Sequence, residues 1–250
     1  MFKNNDYSII LPTLNEAGHI KDLISEISNI FILHKLNFEI IIIDDSSTDG
    51  TVELIRNISK NNNRVSIYVR ENKKDSLVQS LIDGIKIAKY ERIIWMDADF
   101  SHPPNYINEF IKLNNSSDYD ALVFSRFLKD SKRYYEGKTV NAKTIDNLSF
   151  FLNKICKLVI SDKFTDYTSG FICIKKNVIK NTKIYGYYGD YFINLIFDLI
   201  KNSRKIIEIP YMEQDRASGK SKTTGNKIDL IIKCFFYGYC ILKCSIKKLI

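Results

Sequence analysis

The sequence predicts an α/β fold, a mostly parallel sheet flanked by helices and followed by an amphipathic helical tail. Short runs rich in β-branched residues, each bounded by turn residues, recur along the chain, and segments of helical period lie between them. A parallel sheet requires such alternation, because every crossover must return over a sheet face. With 250 residues, 45% of them hydrophobic, the chain can bury one large core, and a second complete domain is not expected.

The expected strands are residues 7–11, 39–43, 65–69, 92–96 and 120–124. Helices are expected between and after them at 17–33, 51–60, 77–89, 105–113 and 142–160. Two further strands, 171–174 and 205–209, enclose a helix at 191–201. These elements fill one domain, residues 1–225, and residues 226–250 form the tail helix. No internal repeat interrupts the pattern.

The formal net charge of +8 is unevenly placed: residues 201–250 carry eleven Lys/Arg against four Asp/Glu, which leaves the first 200 residues near neutral. A basic tail suits an anionic partner, whether nucleic acid, a phospholipid surface or a phosphorylated substrate. No RNP, zinc-finger or helix-turn-helix pattern supports nucleic acid. The five cysteines, Cys156, Cys173, Cys234, Cys240 and Cys244, show no metal-ligand spacing and read as packing thiols in a reducing compartment. The apolar run near the N-terminus is too short for a signal peptide and lacks a cleavage site, so a cytosolic location is expected.

In open α/β sheets, ligands sit beyond the carboxyl ends of the strands. Three expected strands run into polar clusters there. The fourth leads into Asp97-Ala98-Asp99-Phe100-Ser101-His102-Pro103-Pro104. While the chain is extended, alternation aims Asp97 and Asp99 the same way, making an open oxygen site for Mg²⁺ or Mn²⁺; alternatively the pair caps the following helix. Asp99 reads as an exposed strand-end acid. The second strand leads into Asp44-Asp45-Ser46-Ser47-Thr48-Asp49-Gly50-Thr51, good turn and N-cap chemistry, in which Asp44 and Asp45 need partners that a base or a ribose hydroxyl can supply. The first leads into Pro12-Thr13-Leu14-Asn15-Glu16, where Asn15 is either a ligand or the cap of the next helix.

In this order and spacing, the three clusters resemble glycosyltransferase family 2 and its GT-A (Rossmann-like) fold. The Asp97 to Pro104 run is similar to the signature of dolichol-phosphate mannose synthases and related polyprenyl-phosphate glycosyltransferases, as are Asp166-Tyr167-Thr168-Ser169-Gly170-Phe171 and Asp215-Arg216-Ala217-Ser218-Gly219-Lys220-Ser221-Lys222. The resemblance implies that Pro12, Asn15, Glu16 and one or both of Asp44 and Asp45 hold the nucleoside of a GDP- or UDP-sugar. It assigns Asp97, Ala98 and Asp99 to the donor diphosphate, with Asp97 and Asp99 as metal ligands. Arg126 is placed near the acceptor phosphate, and Arg216 with Lys222 on a segment closing over the site. Three positions depart from the pattern: the family's glycine-rich stretch is Lys74 to Ser80 here, with only Gly84 retained; Phe124 replaces a Gly; and Ile145 stands where an Arg is expected, with Lys143 nearby.

The reaction the resemblance implies is a single inverting displacement of a hexose, mannose first among candidates, onto a polyprenyl phosphate. A phosphomonoester with a second pKa of ~6 attacks without a strong protein base. A sugar-hydroxyl acceptor, as in capsule or lipopolysaccharide assembly, needs a base, for which Asp190 is the candidate unless it caps its own helix. A non-catalytic nucleotide-sugar-binding scaffold is the third reading. In the tail, the longest charge-free stretch, residues 234–242, is far short of the ~20 apolar residues that span a bilayer. Wound as a helix, Asp229, Lys233, Lys243 and Lys247 fall on one stripe, so the tail is expected either in the membrane interface of the cytoplasmic face, its lysines near headgroups, or folded back on the domain.

Overall fold

The computed structural model describes residues 6–71, 76–116, 118–129, 131, 140–214 and 227–249. Seven strands form one sheet: β1 (Tyr7–Thr13), β2 (Phe38–Asp44), β3 (Val65–Val69), β4 (Arg92–Trp95), β5 (Ala121–Ser125), β6 (Ile172–Lys175) and β7 (Ile206–Pro210). Their order is β3-β2-β1-β4-β6-β5-β7. Every neighbouring pair is parallel except those of β6, which runs against β4 and β5. The carboxyl ends of the other six strands and the entry into β6 therefore share one edge.

Around the sheet lie α1 (Ile20–Leu33), α2 (Thr51–Asn61), α3 (Ser76–Ile87), α4 (Ile107–Ser116), α5 (Val140–Val159), α6 (Lys176–Lys180), α7 (Asp190–Lys201) and α8 (Lys227–Leu249). The mostly parallel α/β architecture and the C-terminal helix match the fold read from the sequence, and the short α6 was not foreseen. The first helix starts three residues later than expected. Asn15 takes a left-handed φ of 55° and its side chain serves another loop, so the first helical turn waits until Ile20.

Alternation along the strands makes two cores. On one face Ile9, Leu11, Ile40, Ile42, Ile94 and Phe124 pack with α1 and α4; on the other Ile10, Ile41, Ile43, Trp95 and Val123 pack with α3, α5 and α7. Each fully buried side chain of this kind contributes about 1.5–3 kcal/mol. Where α3 crosses β1, Gly84 lies so close that a Cβ there would sit 2.6 Å from Ile10 Cγ2.

The tail helix α8 packs on α7 and α5. Cys240 and Cys244 are buried, their thiols donating to the Asp190 carbonyl at 3.6 Å and to Asn194 Oδ1 at 3.7 Å. The lysine stripe turns inward instead of toward solvent. Lys233 lies over the Tyr188 ring, Lys243 and Lys247 over Tyr185, and the Lys247 amine donates to the Tyr185 hydroxyl at 3.0 Å. The outward face is consequently apolar: Phe235 is 69%, Leu242 59% and Tyr239 57% exposed.

Candidate active site

The ends of β1 and β2 are adjacent, with Thr13 in register with Asp44. The loops leaving them are tied together by hydrogen bonds. The Asn15 N–H donates to Ser47 Oγ at 2.7 Å and Asn15 Oδ1 accepts from the Thr48 N–H at 2.8 Å, so Asn15 bridges two loops and caps no helix. The Glu16 N–H donates to Thr51 Oγ1 at 2.9 Å, and the Glu16 carboxylate lies 2.8 Å from His19 Nε2. Pro12 stands beside Ile43 within the strand pair.

Asp44 and Asp45 differ in their surroundings. Asp44 is fully buried and accepts from the Ser47 N–H and hydroxyl, so the turn itself supplies partners that the sequence had left to a base or a ribose hydroxyl. Asp45 faces β3 and α3: Arg70 Nη1 donates to its Oδ1 at 2.6 Å and Ser80 Oγ donates to the same oxygen at 3.0 Å. Burial pushes the Asp45 carboxyl up, against the downward pull of Arg70 and Ser80.

At the end of β4, Asp97 is exposed, whereas Asp99 is only 2% exposed. The reading of Asp99 as an exposed acid is corrected by this placement. Phe100 adopts a left-handed φ of 66°, folding the loop so that Asp99 Oδ1 accepts the Ser101 N–H at 3.0 Å. That bond caps a local turn and not α4, which begins only at Ile107. His102 holds the start of the turn: its Nδ1 accepts the Asp97 N–H at 3.0 Å while its ring stacks on Phe171 at 4.9 Å.

The two acids, with Ala98 buried between them, offer hard carboxylate oxygens. Among the described residues no cluster of three or more His, Cys, Asp or Glu is placed to hold a metal ion. Such a pair fits a cation that keeps waters and shares substrate phosphates, as Mg²⁺ and Mn²⁺ do, and not a closed structural site.

Further along the edge, Arg126 follows β5. Its Nε donates to Asp166 Oδ2 at 2.8 Å and its Nη2 to Asp166 Oδ1 at 2.9 Å, a bidentate pair with a carboxylate of zero exposure. Nη2 also donates to Thr168 Oγ1 at 2.9 Å, and Nη1 to Glu213 Oε1 at 3.2 Å. Burial alone would lower the Arg126 pKa; Asp166 and Glu213 outweigh it and raise it well above the ordinary value. Asp166 is itself anchored, since the Thr165 and Asp166 N–H groups donate to the half-buried carboxylate of Glu208 at 2.8 and 3.1 Å.

Asp190 is 3% exposed and accepts the N–H groups of Tyr187 and Tyr188, at 3.0 and 2.6 Å. Arg216, Lys222 and Lys74 lie outside the described residues, as do the side chains of Lys143 and Ile145. Asp166 was marked in the sequence only as the start of a family-like run and Ser80 as the end of the altered glycine-rich stretch, neither with a role; Arg70, Glu208, Glu213 and Tyr211 were not singled out. Arg70 and Glu213 follow strand ends as Asp45 and Asp97 do, so the rule that found the acids reaches them when β3 and β7 are included.

A mostly parallel sheet whose central strand ends in Asp97-Ala98-Asp99, beside two interlocked loops and a carboxylate-held arginine, defines a GT-A glycosyltransferase. The chain belongs to glycosyl transferase family 2, whose model matches residues 8–182. Among curated relatives it is similar to a dolichol-phosphate mannosyltransferase of Pyrococcus furiosus, 33% identical over 225 residues, 88% of this chain and 60% of that protein. A dolichol-phosphate mannosyltransferase of Mycosarcoma maydis is 34% identical over 104 residues, 40% of this chain and 35% of the relative. The chain thus spans 60% and 35% of the lengths of these two relatives.

Solved structures share the fold. Mannosyl-3-phosphoglycerate synthase from Rubrobacter xylanophilus superposes with a TM-score of 0.68 at 13% identity, over 98% of this chain and 74% of that one. Glucosyl-3-phosphoglycerate synthase from Mycobacterium tuberculosis, in complex with Mn²⁺, UDP and phosphoglyceric acid, gives 0.64 at 19% identity, over 96% and 78%.

Proposed function

We propose that this glycosyltransferase moves a hexose, with mannose from GDP-mannose the first donor to test, onto the phosphate of a polyprenyl phosphate at the cytoplasmic face of a membrane. The observation that carries the reading is the single sheet edge on which the acid pair after β4 and Arg126 after β5 are joined by the entry loop of β6. The names of the mannosyltransferase relatives support the acceptor class, and the Mn²⁺ and UDP of the M. tuberculosis complex support a divalent metal and a nucleotide-sugar donor.

Asp97 and Asp99 would hold Mg²⁺ or Mn²⁺, which when bound supplies positive charge to the departing nucleoside diphosphate. The loops of Pro12, Asn15 and Glu16, with Asp44 and Asp45, form the nucleoside side of the site. Arg126 orients the acceptor phosphate, whose oxygen attacks the anomeric carbon as the bond to the diphosphate breaks, with inversion. No protein base is needed, in keeping with Asp190 being engaged by two N–H groups. Arg216 and Lys222, assigned to the site by resemblance, would add cationic charge.

Apolar side chains exposed on α8 (Phe235, Tyr239, Leu242) and α5 (Phe150, Phe151, Leu158) support contact with a lipid surface, through an interfacial face and not a span. No helix among the described residues is long and apolar enough to cross a membrane. Incubation with Mn²⁺, a panel of GDP- and UDP-sugars, short polyprenyl phosphates and 3-phosphoglycerate, with products identified by mass, tests the proposal. A mannosyl polyprenyl phosphate is the expected product; transfer only to phosphoglycerate, or only to a lipid-linked sugar added as a further acceptor, would overturn it.

A further inference from the structure

The Arg126 fork is occupied in an uneven way. Nε and Nη2 are committed to Asp166, which is fully buried, and to Thr168, at 2.8 to 2.9 Å. Nη1 is engaged by Glu213 at the longer distances of 3.2 and 3.5 Å, and Glu213 is the more exposed acid, its side chain at 23%. Among the contacts of the described residues, the one an incoming anion can most readily exchange is therefore that of Nη1, the position Glu213 holds. Two carboxylates around one guanidinium leave the cluster with a net negative charge, which opposes the binding of a phosphate dianion for as long as Glu213 stays.

On the neighbouring strand a second group lacks a partner among the described residues. Ser125 and Pro210 are the last register pair of β5 and β7, so Arg126 and Tyr211 leave the sheet edge side by side, the Tyr211 N–H donating to the Ser125 carbonyl at 3.2 Å. Tyr211 is 2% exposed, and its hydroxyl has no hydrogen-bond partner among the described residues. Burial and the neighbouring Glu213 carboxylate raise its pKa well above the ordinary value, so it is a neutral donor. A buried hydroxyl without a partner costs about 1–3 kcal/mol, a deficit that a ligand oxygen can relieve.

We propose that Glu213 sets the affinity of the acceptor phosphate: in the free protein its carboxylate holds Arg126 Nη1, and the incoming phosphate displaces it and also accepts from the Tyr211 hydroxyl. This rests on the reading of Arg126 as the phosphate ligand. The binding is an exchange of one anion for another, with no covalent step.

The test uses the full chain, with inorganic phosphate, citronellyl phosphate and 3-phosphoglycerate as probes in calorimetry, and citronellyl phosphate as acceptor in turnover. Glu213→Gln should lower the Kd of citronellyl phosphate and the acceptor KM about threefold to tenfold, leaving the donor KM unmoved. Tyr211→Phe, which keeps the packed ring, should raise that Kd about tenfold. A Glu213→Gln protein with unchanged or weaker phosphate affinity overturns the proposal. Arg126→Gln separates the causes: if it weakens phosphate while Glu213→Gln does not strengthen it, the displacement fails alone. If Arg126→Gln has no effect, the phosphate site and the displacement fail together. Tightening confined to 3-phosphoglycerate would keep the displacement and refute the lipid acceptor.

Discussion

Arg70 Nη1 lies 2.6 Å from Asp45 Oδ1, and each side chain is about one-tenth exposed. Arg70 stands one residue beyond β3 and Asp45 one residue beyond β2, so the pair locks two strand ends beneath the proposed nucleoside side of the site. Arg70 also reaches Asp83 of α3 at 3.5 Å, tying that helix to the same corner.

Arg70→Gln should destabilise the protein by about 2–3 kcal/mol at neutral pH, because it leaves a largely buried carboxylate without its cation. The sign with pH follows from Asp45, whose folded pKa burial already raises and the substitution raises further. A group with a raised folded pKa loses stability as pH climbs from its unfolded toward its folded value. The deficit measured by urea unfolding should accordingly be smaller at pH 4 than at pH 7.5; a deficit that grew on acidification would contradict this.

Gly84→Ala should cost about 1–3 kcal/mol. The new methyl meets Ile10, a β-branched side chain with no exposure in the centre of the sheet, which cannot swing aside. Thermal melting checks the cause when Gly84→Ala is compared with Ile10→Ala and the double mutant: Ile10→Ala removes the Cγ2 that the new methyl meets, so the two losses should be less than additive.

Most of the fold was legible in the sequence because buried parallel strands and their helices leave strong period-two and period-3.6 signals. The acid clusters were legible because they follow those strands. Where Asp99 points was not, since a left-handed Phe100 turns it inward and a residue of that type rarely adopts such a backbone. The partners of Arg126 were hidden as well: Asp166 and Glu213 are 40 and 87 residues away in the chain, and only the sheet order brings them together. The lysine stripe of α8 was correctly placed on one face, but the tyrosines that draw it inward lie before another helix.

The apolar outer face of α8 should bind lipid vesicles. Replacing Phe235 and Leu242 with Ser should reduce co-sedimentation with vesicles of phosphatidylglycerol and phosphatidylcholine several-fold, about 25 cal/mol being lost per Å² of apolar area no longer buried. Both side chains are more than half exposed in the free protein, so the melting temperature should stay within about 2 °C of wild type. Unchanged sedimentation would remove this helix from the membrane contact.

Glu208→Gln should slacken Arg126 from two layers away. Glu208 accepts the N–H groups of Thr165 and Asp166, and the second of these residues carries the guanidinium. Burial raises its carboxyl pKa against those bonds. The neutral side chain should raise the KM for a polyprenyl phosphate more than that for the donor; an equal change in both would mark a general loss of structure.

Metal-dependent transfer at the acid pair after β4 is tested better at Asp97 than at Asp99, because Asp97 is exposed and its removal leaves the local turn bond to Ser101 intact. The measurement is transfer of mannose from GDP-mannose to citronellyl phosphate by wild type and Asp97→Asn, with Mn²⁺ and with EDTA. Wild type should form product only with the metal, and Asp97→Asn should lose about a hundredfold or more in rate while melting like wild type. Full wild-type turnover in EDTA, or an Asp97→Asn protein as fast as wild type, would contradict metal-dependent transfer at this pair.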